Sequence, residues 1–195
     1  DKLAYQALTD EKVGLSRSDF AIQLKVDEPS RTLTVSDNGI GMDKDEMENN
    51  LGTICKSGSL QFKKDMEKQD DIDIIGQFGV GFYSAFMVAD TVTVISKKYG
   101  SDEAWKWTSS GADGYTMEPA ERESAGTDVI MTLKADTEDE QYSRFLKTWE
   151  LQKLVQKYSD YIRYPIKLEM EKSRVKEETK DSEKPEYETY TELER

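Results

Sequence analysis

Glycines at positions 76, 79 and 81 lead directly into an apolar helical pattern at residues 82–88. Because glycine has no Cβ, such a loop can adopt positive φ angles and bring backbone N–H groups against a ligand. The free amides and the positive end of the helix that follows favour an anion, most often phosphate. The spacing excludes both the P-loop and the dinucleotide-binding fingerprint, whose close glycine pair comes first. A tight turn without a ligand is the alternative.

Composition narrows the class of protein. A chain of 195 residues predicts one domain with a real core, and a net charge of −13 argues against nucleic-acid binding. The single cysteine, Cys55, excludes an intramolecular disulfide, as is typical of a reducing compartment. No apolar run approaches the roughly 20 residues of a membrane span, and the first residues lack signal-peptide features. The sequence therefore predicts a cytoplasmic protein that does not contact membranes.

Hydrophobic periodicity predicts a helix at the very start of the chain, where Leu3, Ala4, Ala7 and Leu8 recur without an N-cap. We therefore expect the chain to begin inside a helix and to be a fragment. Further along, the pattern predicts a β-hairpin at 20–37 and a helix that runs from a capping box at Asp43 and Glu46 to about Gly52. Two more helices are predicted at 82–88 and 151–162. The remaining predicted strands lie at 92–96, 104–108, 114–118, 127–133 and 165–169.

This order predicts an α+β two-layer sandwich in which helices cover one face of a mainly antiparallel mixed sheet. We expect the domain to span residues 1–170. From Glu171 the chain is rich in charge and poor in apolar residues, which predicts a disordered charged linker or tail over 171–195. A solvated extension of a helix is the alternative.

A second motif follows the predicted hairpin, with Asp37, Gly39 and Gly41 at alternate positions. A carboxylate at a strand end can accept a hydrogen bond from an exocyclic amine, and the two glycines let backbone and water approach a flat ring. A plain turn between a strand and a helix would use the same residue types. Alone, therefore, this motif decides little.

Taken together, the two glycine motifs and Gly126-Thr127 resemble the Bergerat nucleotide fold of the GHKL superfamily. Residues 49–58 and 75–90 are similar to the ninety-kilodalton heat-shock chaperones, whose bacterial branch is HtpG. The resemblance covers residues 1–170 and implies the amino-terminal ATP-binding domain, with ATP or ADP and Mg²⁺ as ligands. It also implies that residues 171–195 begin the charged linker of that family.

The resemblance assigns roles to individual residues. Asp37 would bind the adenine amine, aided by a water shared with Gly41 and Thr127, and Asn50 would contact the ribose and α-phosphate. Side chains that would line the base are Met42, Leu51 and Phe82. Backbone N–H groups of Gly79, Val80, Gly81 and Phe82 would bind the phosphates, and Lys56 would lie near them on a lid formed by residues 43–73.

The family's first strand, most of its first helix, its general-base Glu and its Mg²⁺-binding Asn would all lie before Asp1. We therefore assign no catalytic or metal-binding residue and expect slow ATP hydrolysis by this chain. In the full-length protein, lid closure over ATP would drive closure of a homodimer and folding of client proteins, whereas the fragment is expected to be monomeric. The alternatives are another GHKL ATPase (a sensor kinase, type II topoisomerase or mismatch-repair protein) and a nucleotide-gated adaptor that does not hydrolyse ATP.

Overall fold

The computed structural model describes residues 2–9, 14–56, 81–111, 114–159, 161–175 and 187–194. Its helices are α1 (Lys2–Thr9), α2 (Lys44–Lys56), α3 (Ala85–Val88) and α4 (Thr148–Tyr158), with 3₁₀ turns at Arg17–Asp19, Gly81–Ser84 and Tyr142–Leu146. Its strands are β1 (Ile22–Asp27), β2 (Thr32–Asp37), β3 (Ala89–Lys97), β4 (Ala104–Gly111), β5 (Gly114–Ala120), β6 (Gly126–Leu133), β7 (Ile166–Val175) and β8 (Tyr187–Glu194).

These strands form one sheet in the order β5-β4-β3-β6-β2-β1-β7-β8. Strands β1 and β7 pair in parallel, and every other neighbouring pair is antiparallel. The connections of the β1–β2, β3–β4 and β4–β5 hairpins are short, whereas the parallel pair is reached through the long excursion from β2 to β7, as parallel pairing requires. The predicted α+β class with a mixed, mainly antiparallel sheet is confirmed.

The core lies between the helices and one face of the sheet. Alternation along β3 turns Val92 and Val94 towards the helices, where both are almost fully buried. Trp107 of β4 is completely buried at the centre of this layer. The helices contribute buried residues to the same cluster, including Met47 and Leu51 from α2, Ala85 from α3 and Leu151 from α4. This apolar layer anchors α2 against the sheet.

Two predicted helix ends were wrong. Helix α2 continues past Gly52 to Lys56, because Gly52 lets the helix approach β5 closely: a Cβ there would lie 2.9 Å from the Tyr115 ring. Helix α4 ends at Tyr158, four residues before the predicted end, and the backbone N–H of Ser159 caps the carbonyl of Val155. The apolar residues whose spacing predicted a longer helix continue into the irregular segment after α4.

The segment after Glu171 also differs from the expected disordered linker. Strand β7 continues to Val175 and pairs with β8, so that Glu171 lies opposite Thr191 and Val175 opposite Tyr187. Backbone groups make the hydrogen bonds of such a ladder, and the Tyr and Thr residues of β8 have high strand propensity. Low apolar content therefore did not prevent pairing. The domain boundary at residue 170 stays a prediction, and residues 57–73 of the predicted lid lie outside the described residues.

Candidate functional site

The candidate site begins where β2 ends, at Asp37. Asp37 lies opposite Thr127 of β6, and Thr127 lies opposite Ser96 of β3. The side chains of residues opposite each other point to the same face of a sheet, here the face covered by helices. One carboxylate and two hydroxyl groups therefore form a polar row at the edge of the apolar core.

The Asp37 carboxylate has a mixed environment. The side chain is exposed to solvent at the end of β2, yet protein atoms packed near its carboxylate desolvate it in part and thereby raise the pKa of Asp37. The backbone N–H of Gly39, which donates to Asp37 Oδ1 at 2.8 Å, and the positive charge of Arg122 act in the opposite direction, whereas Asp128 adds to the rise. A partly desolvated carboxylate of this kind gains from a ligand that donates a hydrogen bond to it.

Arg122, in the connection between β5 and β6, stabilises the backbone that carries this polar row. Its guanidinium donates to the backbone carbonyl of Asp37 at 2.9 Å and to the carboxylate of Asp128 at 3.1 and 3.2 Å. Only 13% of the Arg122 side chain is exposed. Because both groups that it binds are fixed in adjacent strands, Arg122 holds the end of β2 in register with β6.

The loop after Asp37 packs directly on β3 and β6. Gly41 has a φ of +67°, and a Cβ at this position would lie 1.9 Å from the carbonyl oxygen of Lys97 and 3.1 Å from that of Gly126. Immediately after it, the backbone N–H of Met42 donates to the Ser96 hydroxyl at 2.8 Å. The fold therefore requires a glycine at position 41, whether or not a ligand binds.

Side-chain and backbone hydrogen bonds hold the same loop on two other sides. The Asn38 side chain accepts from the backbone N–H of Ala21 at 2.9 Å and donates to the carbonyl of Asp19 at 2.6 Å. On the opposite side, the backbone N–H of Tyr99 donates to the carbonyl of Ile40 at 2.7 Å. These hydrogen bonds therefore fix the position of the loop that follows Asp37.

Helix α2 starts from the capping box predicted at Asp43 and Glu46, which is confirmed. The backbone N–H of Glu46 donates to the Asp43 carboxylate at 2.9 Å, and the backbone N–H of Asp43 donates to the Glu46 carboxylate at 3.0 Å. Lys98, just after β3, forms ion pairs with both side chains, at 2.6 and 3.1 Å. The first turn of α2 is thereby tied to the end of β3.

Helix α2 also carries Leu51, which is predicted to line the base, and Asn50, which is predicted to contact the ribose and α-phosphate. Leu51 is 6% exposed and forms part of the core cluster, against which Met42 and Phe82 also pack. The Asn50 side-chain nitrogen lies 3.8 Å from the Met42 sulfur. The Phe82 ring meets the buried Trp107 edge-on, with 5.6 Å between centroids. Met42, Leu51 and Phe82 therefore belong to one apolar cluster, in which Leu51 keeps only a small exposed surface.

The predicted phosphate end is described in part. Gly81 opens a 3₁₀ turn that leads into α3, and no described atom lies within 4 Å of the place where its Cβ would be. Gly76, Gly79 and Val80 lie outside the described residues, and for Lys56 only the backbone, at the end of α2, is described. The assignment of phosphate contacts therefore stays a prediction.

Two residues of the site were missed in the sequence. Ser96 could have been found, because the alternation of Val92, Val94 and Ser96 places a polar residue on the core-facing side of β3. Arg122 offered no local signal, since it lies in a charged loop and its partner Asp37 is 85 positions away. Within the described ranges, no group of three or more His, Cys, Asp or Glu residues could hold a metal ion, and no helix is long and apolar enough to cross a membrane.

The sequence matches two family models. Residues 12–131 match the model described as histidine kinase-, DNA gyrase B- and HSP90-like ATPase, and residues 144–194 match that of the Hsp90 protein. The first match covers more than half of the chain. The chain therefore belongs to the family of histidine kinase-, DNA gyrase B- and HSP90-like ATPases.

Curated relatives narrow this class further. The chain is 53% identical over 194 residues to the chaperone protein HtpG of Clostridium botulinum strain Langeland, an alignment that covers 100% of the chain and 30% of that protein. It is 55% identical over 194 residues to HtpG of Clostridium perfringens strain ATCC 13124, with the same coverage. It is 57% identical over 177 residues to HtpG of Bacillus subtilis strain 168, covering 91% of the chain and 28% of that protein. The predicted resemblance to an HtpG-like amino-terminal ATPase domain is confirmed, and the chain spans about 30% of the length of these relatives.

Proposed function

We propose that this chain binds ATP and ADP as the nucleotide-binding domain of an ATP-dependent chaperone. The observation that carries the proposal is the partly desolvated Asp37 carboxylate, opposite Thr127 and beside the close-packed Gly41. The family to which the chain belongs and its similarity to chaperones named HtpG favour the chaperone branch over a sensor kinase or a topoisomerase.

At the base end, Asp37 would accept a hydrogen bond from the exocyclic amine of adenine. A water bound by Gly41 and Thr127 would complete the contacts to the base, and Met42, Leu51 and Phe82 would supply its apolar surroundings. An amine that is removed from water without an acceptor costs about 1–3 kcal/mol. The Asp37 carboxylate avoids this cost for adenine.

At the other end of the nucleotide, backbone N–H groups of Gly79, Val80, Gly81 and Phe82 would bind the phosphates. The chain has a net charge of −13, so the phosphate charge must be met locally. The N–H groups, a Mg²⁺ ion carried by the phosphates themselves and the Lys56 ammonium would together supply this compensation. Asn50 would contact the ribose and α-phosphate between the two ends.

The activity of the whole protein belongs to the same proposal. ATP binding would close the lid of residues 43–73, closure would bring two subunits of a homodimer together, and hydrolysis would reopen them while client proteins fold in the cytoplasm. The link to the described residues is α2, whose first turn is tied to β3 by Lys98 and whose last residues lead into the rest of the lid.

Calorimetric titration of Mg·ADP into the wild-type chain and into Asp37→Asn tests the proposal. The Gly39 N–H would hold the amide oxygen of the substituted side chain, so its NH2 group would face the adenine amine, and affinity should fall by about 1–3 kcal/mol, roughly five- to 150-fold in Kd. The matched control is Asp27→Asn, which changes an exposed aspartate at the opposite end of the same hairpin and should leave Kd unchanged. Equal heats from wild type and Asp37→Asn would remove the assignment of the pocket.

Two further measurements address the parts of the proposal that concern turnover and the lid. A steady-state ATPase assay on the chain tests the prediction of slow hydrolysis, which a rate matching a full-length homologue would contradict. Hydrogen exchange across residues 43–73, measured with and without an ATP analogue, tests the lid. Protection that does not change with nucleotide would identify this segment as an ordinary surface excursion.

A further inference from the structure

Ser96 is a polar side chain at a position where the pattern of β3 calls for an apolar one. Val92, Val94 and Ser96 occupy successive core-facing positions, and Ser96 is fully buried. A buried hydroxyl group costs free energy unless its hydrogen bonds are made. Ser96 therefore needs partners, and those partners belong to the candidate site.

The Ser96 hydroxyl has three hydrogen-bond partners. The backbone N–H of Met42 donates to Ser96 Oγ at 2.8 Å. The same oxygen lies 3.1 Å from the carbonyl oxygen of Gly126 and 2.8 Å from Thr127 Oγ1. Ser96 thus joins the loop that follows Asp37 to the start of β6, the two segments that carry the predicted contacts to the base.

Counting hydrogens assigns a direction to these bonds. A hydroxyl group donates one hydrogen and accepts two, a carbonyl only accepts, and a backbone N–H only donates. All four groups are satisfied when Ser96 donates to Gly126 and accepts from both Met42 and the Thr127 hydroxyl. Thr127 has then used its single hydrogen, and it presents only oxygen lone pairs to the site.

This direction matters because Thr127 lies directly opposite Asp37. Residues so placed in an antiparallel pair have Cβ atoms about 4.5–5.5 Å apart. Two acceptors side by side match a ligand edge that offers N–H donors, directly or through a water that donates to Thr127. The 6-amino group of adenine offers such a donor beside Asp37, whereas a 6-oxo purine turns an acceptor towards Asp37 and carries its N–H at N1 instead.

We propose that Ser96 is a positioning residue that sets the hydrogen-bond direction of Thr127 and thereby favours 6-amino over 6-oxo purines. Ser96 does not touch the ligand, since it is fully buried behind Met42 and Thr127. This inference rests on the proposed function, because it requires a purine at Asp37, and it deepens that function by adding a determinant of base specificity.

The test compares ADP with inosine diphosphate, whose base carries a 6-oxo group in place of the 6-amino group and a hydrogen on N1. Both are titrated with Mg²⁺ into the wild-type chain, Ser96→Ala and Ser96→Thr. In Ser96→Ala the Thr127 hydroxyl is free to rotate and donate, so ADP should bind about fivefold more weakly while inosine diphosphate does not weaken. The ratio of Kd values, that for inosine diphosphate divided by that for ADP, should therefore fall about fivefold. Ser96→Thr keeps the hydroxyl and should keep the wild-type ratio.

Ser109→Ala is the matched control. Ser109 is the other buried polar side chain among the residues whose burial is described, at 3% exposure, and its hydroxyl bonds Gly114 and Gly111 at the far end of β4. Its removal should lower stability against urea about as much as Ser96→Ala but leave the ratio of Kd values unchanged. A second check uses Thr127→Val, in whose background Ser96→Ala should no longer change the ratio.

The outcomes separate this inference from the function on which it rests. If the wild-type chain binds neither nucleotide, the proposed function fails and the inference fails with it. If wild type prefers ADP but Ser96→Ala keeps that ratio, the inference is overturned and the function stands. An equal loss for both nucleotides would also overturn it, because that result indicates a purely structural role. Should Ser96→Ala not fold, Ser96→Cys, whose S–H is a weak donor, replaces it with the same expectations.

Discussion

The two glycine-bearing regions of the candidate site differ in how tightly the protein packs around them. At the base end, a Cβ on Gly41 would lie 1.9 Å from a carbonyl oxygen of β3, and one on Gly126 would lie 2.1 Å from the carbonyl oxygen of Asp37. At the predicted phosphate end, a Cβ on Gly81 would have no described atom within 4 Å. The first region needs its glycines in order to fold. In the second, the described residues leave space where a side chain would be.

This difference separates two reasons for using glycine. Gly41 and Gly126 let the loop after β2 and the start of β6 lie against neighbouring backbone, and thereby place Asp37 and Thr127 side by side. The described surroundings of Gly81 make no such demand. Packing thus fixes the predicted base end in the absence of ligand. The role of the predicted phosphate end has to be measured with nucleotide bound.

The largest effect is expected for Gly41→Ala. The added methyl would lie 1.9 Å from the Lys97 carbonyl oxygen, which is backbone and cannot move without disturbing β3. Together with a φ of +67°, this clash should lower the free energy of unfolding by about 4 kcal/mol or more, or prevent folding. Urea unfolding followed by circular dichroism measures the loss.

Gly100→Ala is the matched control for backbone strain alone. Gly100 also has a positive φ, +81°, but a Cβ there would meet no described atom within 4 Å. Placing an L-residue in this region costs about 1–2 kcal/mol. Equal losses for Gly41→Ala and Gly100→Ala would show that the close approach to β3 adds nothing, and that the base end is less tightly packed than the distances indicate.

A smaller effect, and one on binding alone, is expected for Gly81→Ala. Because the Cβ would meet no atom of the described residues, the free energy of unfolding should change by no more than about 0.5 kcal/mol. If phosphates approach this backbone, the methyl should hinder them and weaken ADP binding about fivefold, or about 1 kcal/mol. Adenosine lacks phosphates, so its affinity should not change. Calorimetry with both ligands tests this prediction. An equal loss of affinity for adenosine would show that the methyl group does not act on the phosphates.

Much of the fold could be predicted because its signals are local. Alternating residues identified the β1–β2 hairpin and the strands that became β3 to β6, and the spacing of Asp43 and Glu46 identified the start of α2. The grouping of Asp37 with Thr127 came instead from resemblance to a family. Periodicity alone places each residue on its strand, but it does not say which strands are neighbours.

The features that could not be predicted depend on long-range packing. The residue type of Gly52 suggests a helix end, yet Gly52 lies inside α2. Its missing side chain leaves room for the Tyr115 ring of β5. Arg122 reads as one charge in a polar loop, and only the meeting of β6 with β2 brings it to the Asp37 carbonyl. The pairing of β7 with β8 was hidden in the same way, since backbone hydrogen bonds leave little trace in hydrophobicity.

The smallest effect tests whether surface charge adds to the packing that fixes the base end. Asn can still cap α2, so Asp43→Asn should remove only the ion pair with Lys98, whose two side chains are 36% and 40% exposed. Lys98 and the Glu46 backbone N–H lower the folded-state pKa of Asp43 from 3.8. The pair therefore adds stability above that pH and loses it as the pH falls through the lower, folded-state value. Urea unfolding should show a loss of about 0.5 kcal/mol at neutral pH that disappears in acid. A loss that persists in acid would assign the effect to cap geometry, and the ion pair would then add nothing to the packing and hydrogen bonds that hold this loop.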